Sequence, residues 1–583
     1  MQISLKSCKS SQPVSFNIGD IFHNKLDLLI KIHQYALQED REITLENNNK
    51  SRYGARCTDD SCRFRIFASS KDEKTWTVKI FEEHKRFCGG APKTTLPSAV
   101  IAAIHSESFR RESVLSPSRL VKTSEMDLSW KKADRTIKLA QKLLYGSRAD
   151  SYAVLPSYIE NLSNAMPGSF TDLDIEDGLF VKCFIALQPS IEGWPFCKPV
   201  VFVDGTYIRT QYLGMILIAT ALDGNGQTFP LAYAVVETES YDSWLWFLSH
   251  LDTVFSLSER NVTVISDRQK GLLKALKDAL PLCHHAFCVW HLAENATGKG
   301  SRHARPYIYK LARAANTTEF KKLLEELGTV SEAAKIYVMN VEPEYWVECL
   351  FSGNRHGLIT SNLAESMNAC ISDARELPIT QMLDAIRSKI AEWFITRREC
   401  AVQNANGVTE IVETKLDLRM KEVLEQELNA TKVDSGLYEV RDNGKLMQVT
   451  VGDTFEESNC SCGKWKREGI PCTHALNVLR QHGSRGHSHC SELHSSLRYA
   501  SVYKGRVFGV DDVVEKRGIV EPPLNKPPPG RPAKVRGQKG RRPTAALKRR
   551  TIEVQQQEPK PKESRKCSLC GIPGHNKATC LKK

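Results

Sequence analysis

The sequence predicts an α/β protein with a core of strands and helices in its middle, small cysteine-rich α+β modules on both sides and a disordered basic tail. Three observations support this fold class. Apolar, strand-like runs alternate with amphipathic helical patterns between residues 196 and 430, clusters of cysteine and histidine lie outside that region, and excess positive charge collects at the end of the chain.

The middle region shows a definite order of elements. Three apolar runs predict strands, at residues 200–203, 213–222 and 229–236. Asp223-Gly-Asn-Gly226, between the second and third, has the residues of a hairpin turn. An amphipathic helix around Trp244 precedes a strand at 262–265 and a helix at 271–280. This order is that of an RNase H-like core, and the polar, largely helical residues 295–355 would form an insertion in it.

Three acidic residues stand where this core could hold divalent metal ions. Asp204 closes the first apolar run, Asp267 closes the fourth, and Glu365 opens an amphipathic helix. Two hard cations about 4 Å apart take oxygen ligands and clamp the attacking and leaving oxygens of a phosphodiester. We therefore predict that the three carboxylates form a two-metal nuclease site. Taken singly, Asp204 could belong to a turn, Asp267 could cap a helix, and Asn362 with Glu365 could be a capping pair.

The length of the chain and its hydropathy limit the class of protein. A chain of 583 residues is too long for one hydrophobic core, and about 150 residues per domain suggests roughly three to five units. The longest apolar stretch, residues 213–222, falls far short of the roughly 20 residues that span a bilayer, and the N-terminus lacks a secretory pattern. We expect a soluble, intracellular protein without a membrane partner.

The positive charge is confined to the end of the chain. Residues 521–583 contain 17 Lys and Arg against 4 Asp and Glu, so the preceding 520 residues carry 64 charges of each sign. Its Pro, Gly, Lys and Arg content predicts a disordered tail over 521–565 that binds a polyanion in a salt-sensitive way, unless it is merely solvated. Residues 534–550 fit a nuclear localisation signal or a nonspecific DNA tether. The predicted DNA contacts are Arg531, Lys534, Arg536, Lys539, Arg541 and Arg542.

Eighteen cysteines in an intracellular chain favour metal binding over disulfides. Nine of them combine with three histidines into three sets of four ligands. The set Cys460-x-Cys462-x9-Cys472-x-His474 predicts a closed, structural Zn²⁺ site within a module at residues 438–490. Residues 566–583 form a zinc knuckle, a module that usually binds single-stranded nucleic acid, with the ligands Cys567, Cys570, His575 and Cys580.

The third set of ligands lies in the first region, residues 14–90, which mixes a helical stretch with β-rich runs. Its spacing is Cys57-x4-Cys62-x21-His84-x3-Cys88. These residues could build a zinc-stabilised finger that presents a strand to the DNA major groove, or they could be unrelated. Residues 96–195 show helical patterns and predict a helical connector.

Several motifs of the middle region resemble those of the Mutator-like (MULE) transposases. The motifs are Val203-Asp-Gly-Thr206, Ser243-Trp-Leu-Trp-Phe-Leu248, Ile265-Ser-Asp267, Cys288-x2-His291 and Thr360-Ser-Asn-Leu-Ala-Glu365. The Cys460 set resembles the SWIM zinc finger that follows the catalytic domain in this family. Residues 57–88 are similar to the MuDR-type N-terminal DNA-binding domain, and the zinc knuckle is a frequent family appendage.

The resemblance implies a DDE-type DNA transposase in which Asp204, Asp267 and Glu365 bind two Mg²⁺ or Mn²⁺ ions. Such an enzyme binds terminal inverted repeats, frees a 3′ hydroxyl there and joins it to target DNA, and family members are expected to act as homo-oligomers. Cys288 and His291 match a family pair whose role the sequence does not reveal. In one respect the chain departs from the family pattern: three residues separate His84 from Cys88, where the pattern has one.

Two functions of different classes follow from these motifs. The first is an active transposase, favoured because all three acids are present. The second is a domesticated transposase that acts as a DNA-binding transcriptional regulator and does not require catalysis. The sequence separates the two poorly, because a recently domesticated copy retains every ligand.

Overall fold

The fold is described from a computed structural model of the chain. The chain divides into two compact units, residues 1–527 and 528–583, and the second lies outside the described residues. The description covers residues 6–84, 88–89, 95–111, 117–210, 212–298, 302–360, 362–403, 407–426, 428–510 and 520–523. Within helices, it excludes the side chains at 110–111, 362–365 and 402–403.

The N-terminal module is an antiparallel sheet that packs on one helix. Its elements are β1 (Ile21–Phe22), α1 (Lys25–Gln38), β2 (Ile43–Asn48), β3 (Arg52–Cys57), β4 (Arg65–Ser70) and β5 (Trp76–Glu82), and the strand order is β1-β5-β4-β3-β2. The side chain of Asn24 caps α1 by accepting the backbone N–H of Asp27. Alternate residues of the strands, such as Tyr53 and Ala55, are buried together with Leu28 of α1.

A helical segment connects this module to the central sheet. It contains α2 (Ser98–Ile104), α3 (Ser106–Arg111), α4 (Pro117–Thr123), α5 (Trp130–Tyr145), α6 (Arg148–Ala153) and α7 (Leu155–Ala165). The hydroxyl of Ser129 caps α5 by accepting the N–H of Lys132, and Ser147 with Asp150 forms a capping box at α6. These caps fix where each helix begins.

The central sheet has seven strands in the order β12-β11-β8-β9-β10-β7-β6. In chain order its elements are β6 (Phe170–Glu176), β7 (Leu179–Ala186), α8 (Gln188–Gly193), β8 (Lys198–Tyr207), β9 (Met215–Leu222), β10 (Thr228–Val236), α9 (Tyr241–Phe255), β11 (Thr263–Ser266), α10 (Lys270–Ala279) and β12 (His284–Phe287). Strand β9 is antiparallel to both of its neighbours, β8 and β10, whereas β11 is parallel to both β8 and β12. The predicted strands and helices of the core therefore form.

The first two strands of this sheet correct the prediction of helix throughout residues 96–195. Residues 170–186 form an antiparallel hairpin whose β7 pairs with β10. Its turn is Asp177-Gly178, and both residues have positive φ, 51° and 79°. Asp-Gly favours the two-residue turn that joins twisted antiparallel strands. The turn residues thus outweigh the helical character of the preceding sequence.

At strands β8 and β11, the two faces of the central sheet are buried in different clusters. Val201, Val203 and Val264 are buried in the large core that also contains Trp244 of α9. Val200, Phe202, Ile265 and Ala286, one residue out of phase, are buried with Phe351 and Leu358 on the opposite face. This alternation follows from the period of two along a strand, and it assigns each side chain of β8 and β11 to a face.

Helices follow the central sheet. Four of them, α11 (Val289–Thr297), α12 (Arg305–Ala312), α13 (Thr317–Val330) and α14 (Glu332–Met339), share a hydrophobic cluster that includes Trp346. The next three are α15 (Asn362–Cys370), α16 (Ile379–Gln403) and α17 (Glu410–Gln426). Within the described ranges, no helix combines the length and the apolar character that a membrane crossing requires.

The C-terminal module consists of a four-stranded sheet and short helices. Its elements are β13 (Asn429–Asp434), β14 (Leu437–Asp442), β15 (Lys445–Thr450), β16 (Asn459–Cys460), α18 (Lys464–Glu468) and α19 (Thr473–Gln481). The chain then returns to the large core through α20 (Ser496–Val502), where Tyr503 is fully buried.

The predicted boundary of the tail at residue 521 needs correction. Val520 is buried in the large core, the N–H of Glu521 donates to the carbonyl of Gly178 at 2.8 Å, and Phe180 N–H donates to the carbonyl of Glu521 at 3.0 Å. Residues 520–523 thus pair with the β6–β7 hairpin. Pairing with a strand satisfies backbone N–H and C=O groups in this segment. This gain outweighs the Pro-rich local composition, which predicts disorder.

Candidate active site and metal centres

Two of the three predicted acids lie at one edge of the central sheet. Ile265 of β11 is in parallel register with Phe202 of β8, so Asp267 and Asp204, each two residues further on, are level with one another. The same register assigns both side chains to the face that carries Phe202 and Ile265. Both acids are half-buried. The two acids thus lie at the level of one another, Asp204 within β8 and Asp267 directly after the adjacent strand β11.

Asp204 is held by two donors. The N–H of Gly205 donates to Oδ1 at 2.9 Å, and Nδ2 of Asn368 donates to Oδ2 at 2.6 Å. Asp204 is not part of a turn, because β8 continues to Tyr207 and pairs Asp204 with Ile218 of β9. The carboxylate is therefore oriented by α15 rather than by a local loop.

The third predicted acid belongs to the helix that contacts Asp204. Position 365 lies on α15 three residues before Asn368, and residues three apart share one face of a helix. The side chain of Glu365 itself lies outside the described residues. The described backbone thus brings the helix that carries Glu365 to Asp204, and the position of its carboxylate stays a prediction.

Asp267 begins the loop between β11 and α10. Its Oδ1 accepts the N–H of Gln269 at 3.2 Å, while the cap of α10 is Gln269, whose side chain accepts from Leu272. Asp267 is therefore not the helix cap that the sequence allowed. The preceding residue, Ser266, lies 2.9 Å from Nε2 of His285, and burial together with Lys277 lowers the pKa of His285 to about 4.

Cys288 and His291 lie beside the same edge. The backbone N–H of Cys288 donates to the carbonyl of Ser266 at 2.8 Å, and α11 begins at the next residue. Cys288 is fully buried, and the ring of His291 packs edge-on against Trp290 with 4.7 Å between ring centres. The pair therefore occupies the start of α11, next to Asp267 in space.

Glu239 is an acid near this edge that sequence reasoning missed. It follows β10, which runs in the direction of β8 because both are antiparallel to β9. Burial and the neighbouring carboxylate of Asp267 raise the pKa of Glu239. A signal was available, since Glu239 follows its strand much as Asp267 follows β11, but only the sheet order shows that these strand ends share an edge.

The C-terminal module brings its four predicted ligands together. The ligand atoms of Cys460, Cys462, Cys472 and His474 all lie within 4.8 Å of one another. Nδ1 of His474 is 3.6 Å from Sγ of Cys460 and 3.9 Å from Sγ of Cys472. Ligands about 2.1–2.3 Å from a tetrahedral Zn²⁺ lie roughly 3.6 Å apart, so this set fits the ion.

Hydrogen bonds within this set shift the pKa values of its members. Bonds from the neighbouring ligands lower the pKa of Cys462, and bonds to Cys460 and Cys462 raise the pKa of His474 to about 10. Nε2 of His474 lies 3.1 Å from Oδ2 of Asp442. A carboxylate in this position fixes the ring so that Nδ1 faces the metal.

The N-terminal set also converges, although the spacing of its last two ligands departs from the family pattern. Ligand atoms of Cys57, Cys62, His84 and Cys88 lie within 4.8 Å of one another, with Sγ of Cys57 at 3.2 Å from Sγ of Cys88 and Sγ of Cys62 at 3.5 Å from Nδ1 of His84. Burial, the largest cause, raises the pKa of Cys57 to about 12. The imidazole of His84 is stacked on Phe64, with 4.1 Å between ring centres and an angle of 2°. This set fits a structural zinc as well.

The remaining predicted ligands and contacts cannot be placed. The knuckle residues Cys567, Cys570, His575 and Cys580 lie outside the described residues. The same holds for the tail residues Arg531, Lys534, Arg536, Lys539, Arg541 and Arg542.

A chain of hydrogen bonds joins the C-terminal zinc set to the central sheet. The carbonyl of Gly224, in the β9–β10 turn, accepts from Thr409 Oγ1 at 3.1 Å and lies 3.2 Å from Nδ1 of His494. The other ring nitrogen of His494 is 2.8 Å from the carbonyl of Glu468, whose side chain pairs with Arg419. Arg419 in turn donates to the carbonyls of Ile470 and Pro471, at 3.0 and 2.8 Å, immediately before the ligand Cys472.

Asp223 anchors the same turn from inside the protein. It is fully buried, and its carboxylate accepts the hydroxyl of Tyr503 at 2.7 Å and the N–H of Gln227 at 2.7 Å. Burial raises the pKa of Asp223. The predicted hairpin turn therefore also connects the core to the residues that follow the zinc set.

Comparison with known proteins agrees with this architecture. Residues 14–80 match the model of the MuDR family transposase, residues 200–295 match the MULE transposase domain, and residues 448–483 match the SWIM zinc finger. The matched MULE region includes Asp204 and Asp267, and the SWIM region includes all four ligands of the C-terminal set.

Individual relatives are distant and partly aligned. Protein FAR-RED IMPAIRED RESPONSE 1 from Arabidopsis thaliana is 22% identical over 57% of this chain and 44% of its own length. Protein FAR1-RELATED SEQUENCE 6 from the same plant is 24% identical over 58% and 54%, respectively. The transposase for insertion sequence element IS905 from Lactococcus lactis is 26% identical over 29% and 46%. The chain spans about half the length of these curated relatives. The chain is thus similar, in order, to the MuDR, MULE and SWIM models, as its sequence motifs predict.

Proposed function

We propose that the chain is a Mutator-like DNA transposase with an RNase H-like core that cleaves and joins DNA ends. The observation that carries the proposal is the parallel register of β8 and β11, which sets Asp204 beside Asp267 on one face. The helix that bears Glu365 contacts Asp204 through Asn368. Carboxylates on rigid neighbouring elements are the ligands that Mg²⁺ and Mn²⁺ prefer.

The residues around Asp204 suit such a role. Two Mg²⁺ or Mn²⁺ ions, when bound by Asp204, Asp267 and Glu365, would activate water and neutralise charge on the reacting phosphodiester. The N–H of Gly205 and the amide of Asn368 fix the carboxylate of Asp204 while leaving lone pairs on both oxygens. Glu239 adds negative charge close to Asp267 and so increases the attraction of this edge for cations.

The other regions supply DNA binding in this proposal. Residues 14–90 would bind the terminal inverted repeats, residues 196–430 would carry out cleavage and strand transfer on target DNA, and residues 438–490 would form the SWIM module. The basic tail would hold DNA nonspecifically and direct the protein to the nucleus, and the knuckle would bind single-stranded nucleic acid. We further propose that the protein acts as a homo-oligomer.

A second candidate is a domesticated transposase that regulates transcription by binding DNA. The names of the relatives support this second candidate beside the first. One relative is the transposase of an insertion sequence, one is named for an impaired far-red response, and one is named as related to the latter. Under this alternative the zinc modules bind DNA and the acid edge is retained without being needed.

A cleavage assay separates the two candidates. Full-length protein is incubated with Mg²⁺ or Mn²⁺ and a duplex that carries the inverted repeats flanking its gene, beside Asp204→Asn, Asp267→Asn and Glu365→Gln variants. We expect the wild type to cleave, each variant to lose at least about a hundredfold in rate, because each removes a charged ligand, and DNA affinity to stay unchanged. If the variant that carries all three substitutions cleaved as fast as the wild type, the nuclease site would be refuted. If the wild type bound the duplex without cleaving it, the regulator would be favoured.

A further inference from the structure

Three arginines from distant parts of the chain gather beside the acid edge. Arg375, in the turn after α15, donates to the hydroxyl of Thr206 through its guanidinium and to the carbonyl of Ser372 at 3.4 Å. Thr206 lies two residues beyond Asp204 on β8, so both side chains are on one face and about 6.6 Å apart along the strand. Arg375 therefore holds a positive charge next to the predicted metal ligands.

The other two arginines lie beside Arg375, and one of them, Arg209, is exposed. The backbone N–H of Arg209 donates to the carbonyl of Arg375 at 2.9 Å, and the Arg209 side chain is 53% exposed. Arg148, at the start of α6, donates to the carbonyl of Glu376 at 3.3 Å. We call Arg148, Arg209 and Arg375 the arginine cluster.

Two acids lie near this cluster. Asp373 and Glu376 are the carboxylates that act on Arg375. The carboxylate of Glu376 is 4.0 Å from Arg209 and is 52% exposed. Burial, the largest cause, and the neighbouring Arg209 lower the pKa of Arg375, so the two guanidinium groups lie close enough to repel one another.

We propose that the arginine cluster binds a backbone phosphate of the nucleic-acid strand that enters the acid edge, adjacent to the phosphodiester being cleaved. Guanidinium groups present paired N–H donors that match phosphate oxygens, and they remain charged at every accessible pH. A structural role explains Arg375, whose contacts hold the turn after α15. Arg148 makes one 3.3 Å bond to the carbonyl of Glu376 and Arg209 a 4.0 Å contact with its carboxylate, which leaves further N–H donors of both guanidinium groups for a phosphate. The proposal rests on the proposed function, because it names the ligand of the same edge.

The test compares two double variants of the full-length protein. R148A/R209A removes the half-buried Arg148 and the exposed Arg209 of the cluster, and K131A/R135A removes two exposed charges from α5 as a control. The probe is a 30-base-pair duplex in buffer that lacks Mg²⁺ and Mn²⁺ but contains Zn²⁺, and the readout is the slope of log affinity against log NaCl concentration. Each lost phosphate contact reduces that slope by about 0.9. We expect a reduction of about 1 to 2 for R148A/R209A and none for K131A/R135A.

An unchanged slope in R148A/R209A, or an equal reduction in both double variants, would overturn the proposal. R375K, which keeps the charge beside Thr206, should retain the wild-type slope, and a loss as large as that of R148A/R209A would also contradict us. Binding without Mg²⁺ or Mn²⁺ does not depend on cleavage, so the two proposals fail separately. Failure of the wild type to cleave DNA would refute the proposed nuclease activity. The proposed phosphate site is tested by the salt dependence of DNA affinity alone.

Discussion

The N-terminal and C-terminal modules contain the same chemistry in different mechanical settings. Each gathers three cysteines and one histidine within 4.8 Å. The hydrophobic cluster around Cys57 and Cys88 is formed by residues of the N-terminal module itself. The C-terminal set is instead joined through Arg419, Glu468 and His494 to the β9–β10 turn of the central sheet. Similar metal sites can therefore stabilise one module locally and another together with the core.

The two histidine ligands are also oriented by different means. His474 is positioned by the carboxylate of Asp442, at 3.1 Å, whereas His84 is stacked flat on the ring of Phe64. A carboxylate raises the basicity of the imidazole and fixes its tautomer, while stacking fixes only the plane of the ring. We therefore expect the C-terminal set to bind zinc more tightly.

Removing one ligand from each module tests the first difference and should give the largest effect. Folding and zinc binding are coupled in such modules, so Cys472→Ser and Cys57→Ser should each lose one zinc per chain. In Cys472→Ser, hydrogen exchange should rise in residues 437–495 and also in the β9–β10 turn. In Cys57→Ser it should rise only in the N-terminal sheet. Loss of protection confined to 437–495 in Cys472→Ser would show that the modules do not differ.

Substitution of Arg419, which links the C-terminal zinc set to the central sheet, should have the next largest effect. Arg419 is 6% exposed, pairs with the carboxylate of Glu468 and donates to two carbonyls next to Cys472. Arg419→Ala leaves these acceptors without a donor, and we expect a loss of about 3–5 kcal/mol in the free energy of unfolding, measured by urea denaturation. Arg441→Ala, an exposed position of the same module, is the control and should change stability by less than about 0.5 kcal/mol.

The second difference is tested at Asp442. Asp442→Asn removes the charge behind His474 and should weaken zinc binding by about 10–100-fold in a chelator competition assay. Phe64→Leu, which removes the stacking partner of His84, should weaken zinc at the N-terminal set by less. If Phe64→Leu had the larger effect, stacking rather than the carboxylate would be the stronger means of orienting the ligand.

The smallest expected effect is the loss of folding stability at acidic pH, which we attribute to His494. Burial and the charges of Lys198 and Lys415 lower the pKa of His494 to about 3, against the carbonyls of Glu468 and Gly224, which favour the protonated ring. A lowered folded-state pKa means that the folded protein binds fewer protons, so stability is full above about pH 6.5 and falls as the pH drops toward 3. We expect the loss to reach about 1.4 kcal/mol at pH 5.5 and to be smaller in His494→Gln. An identical pH profile in that variant would assign the acid sensitivity elsewhere.

The local features of this protein were open to sequence reasoning. The ligands of the C-terminal set lie within fifteen residues, so few ways of folding them exist that do not bring them together. Apolar runs of the right length predicted β8 to β11, and the C-terminal and N-terminal β-rich segments also formed strands. The hairpin at residues 170–186 was missed despite its Asp177-Gly178 turn, because the helical pattern before it was given more weight than turn chemistry.

The sequence by itself determined which residues have the chemistry to bind metal and nucleic acid, since ligand type, spacing and strand period are local properties. Only the tertiary structure decided which of them meet. Asp204 and Asp267 are 63 positions apart in sequence, and their proximity depends on the parallel register of two strands. The approach of Glu239, the arginine cluster and the connection at Asp223 likewise depends on strand order and on long-range packing, which no local pattern encodes.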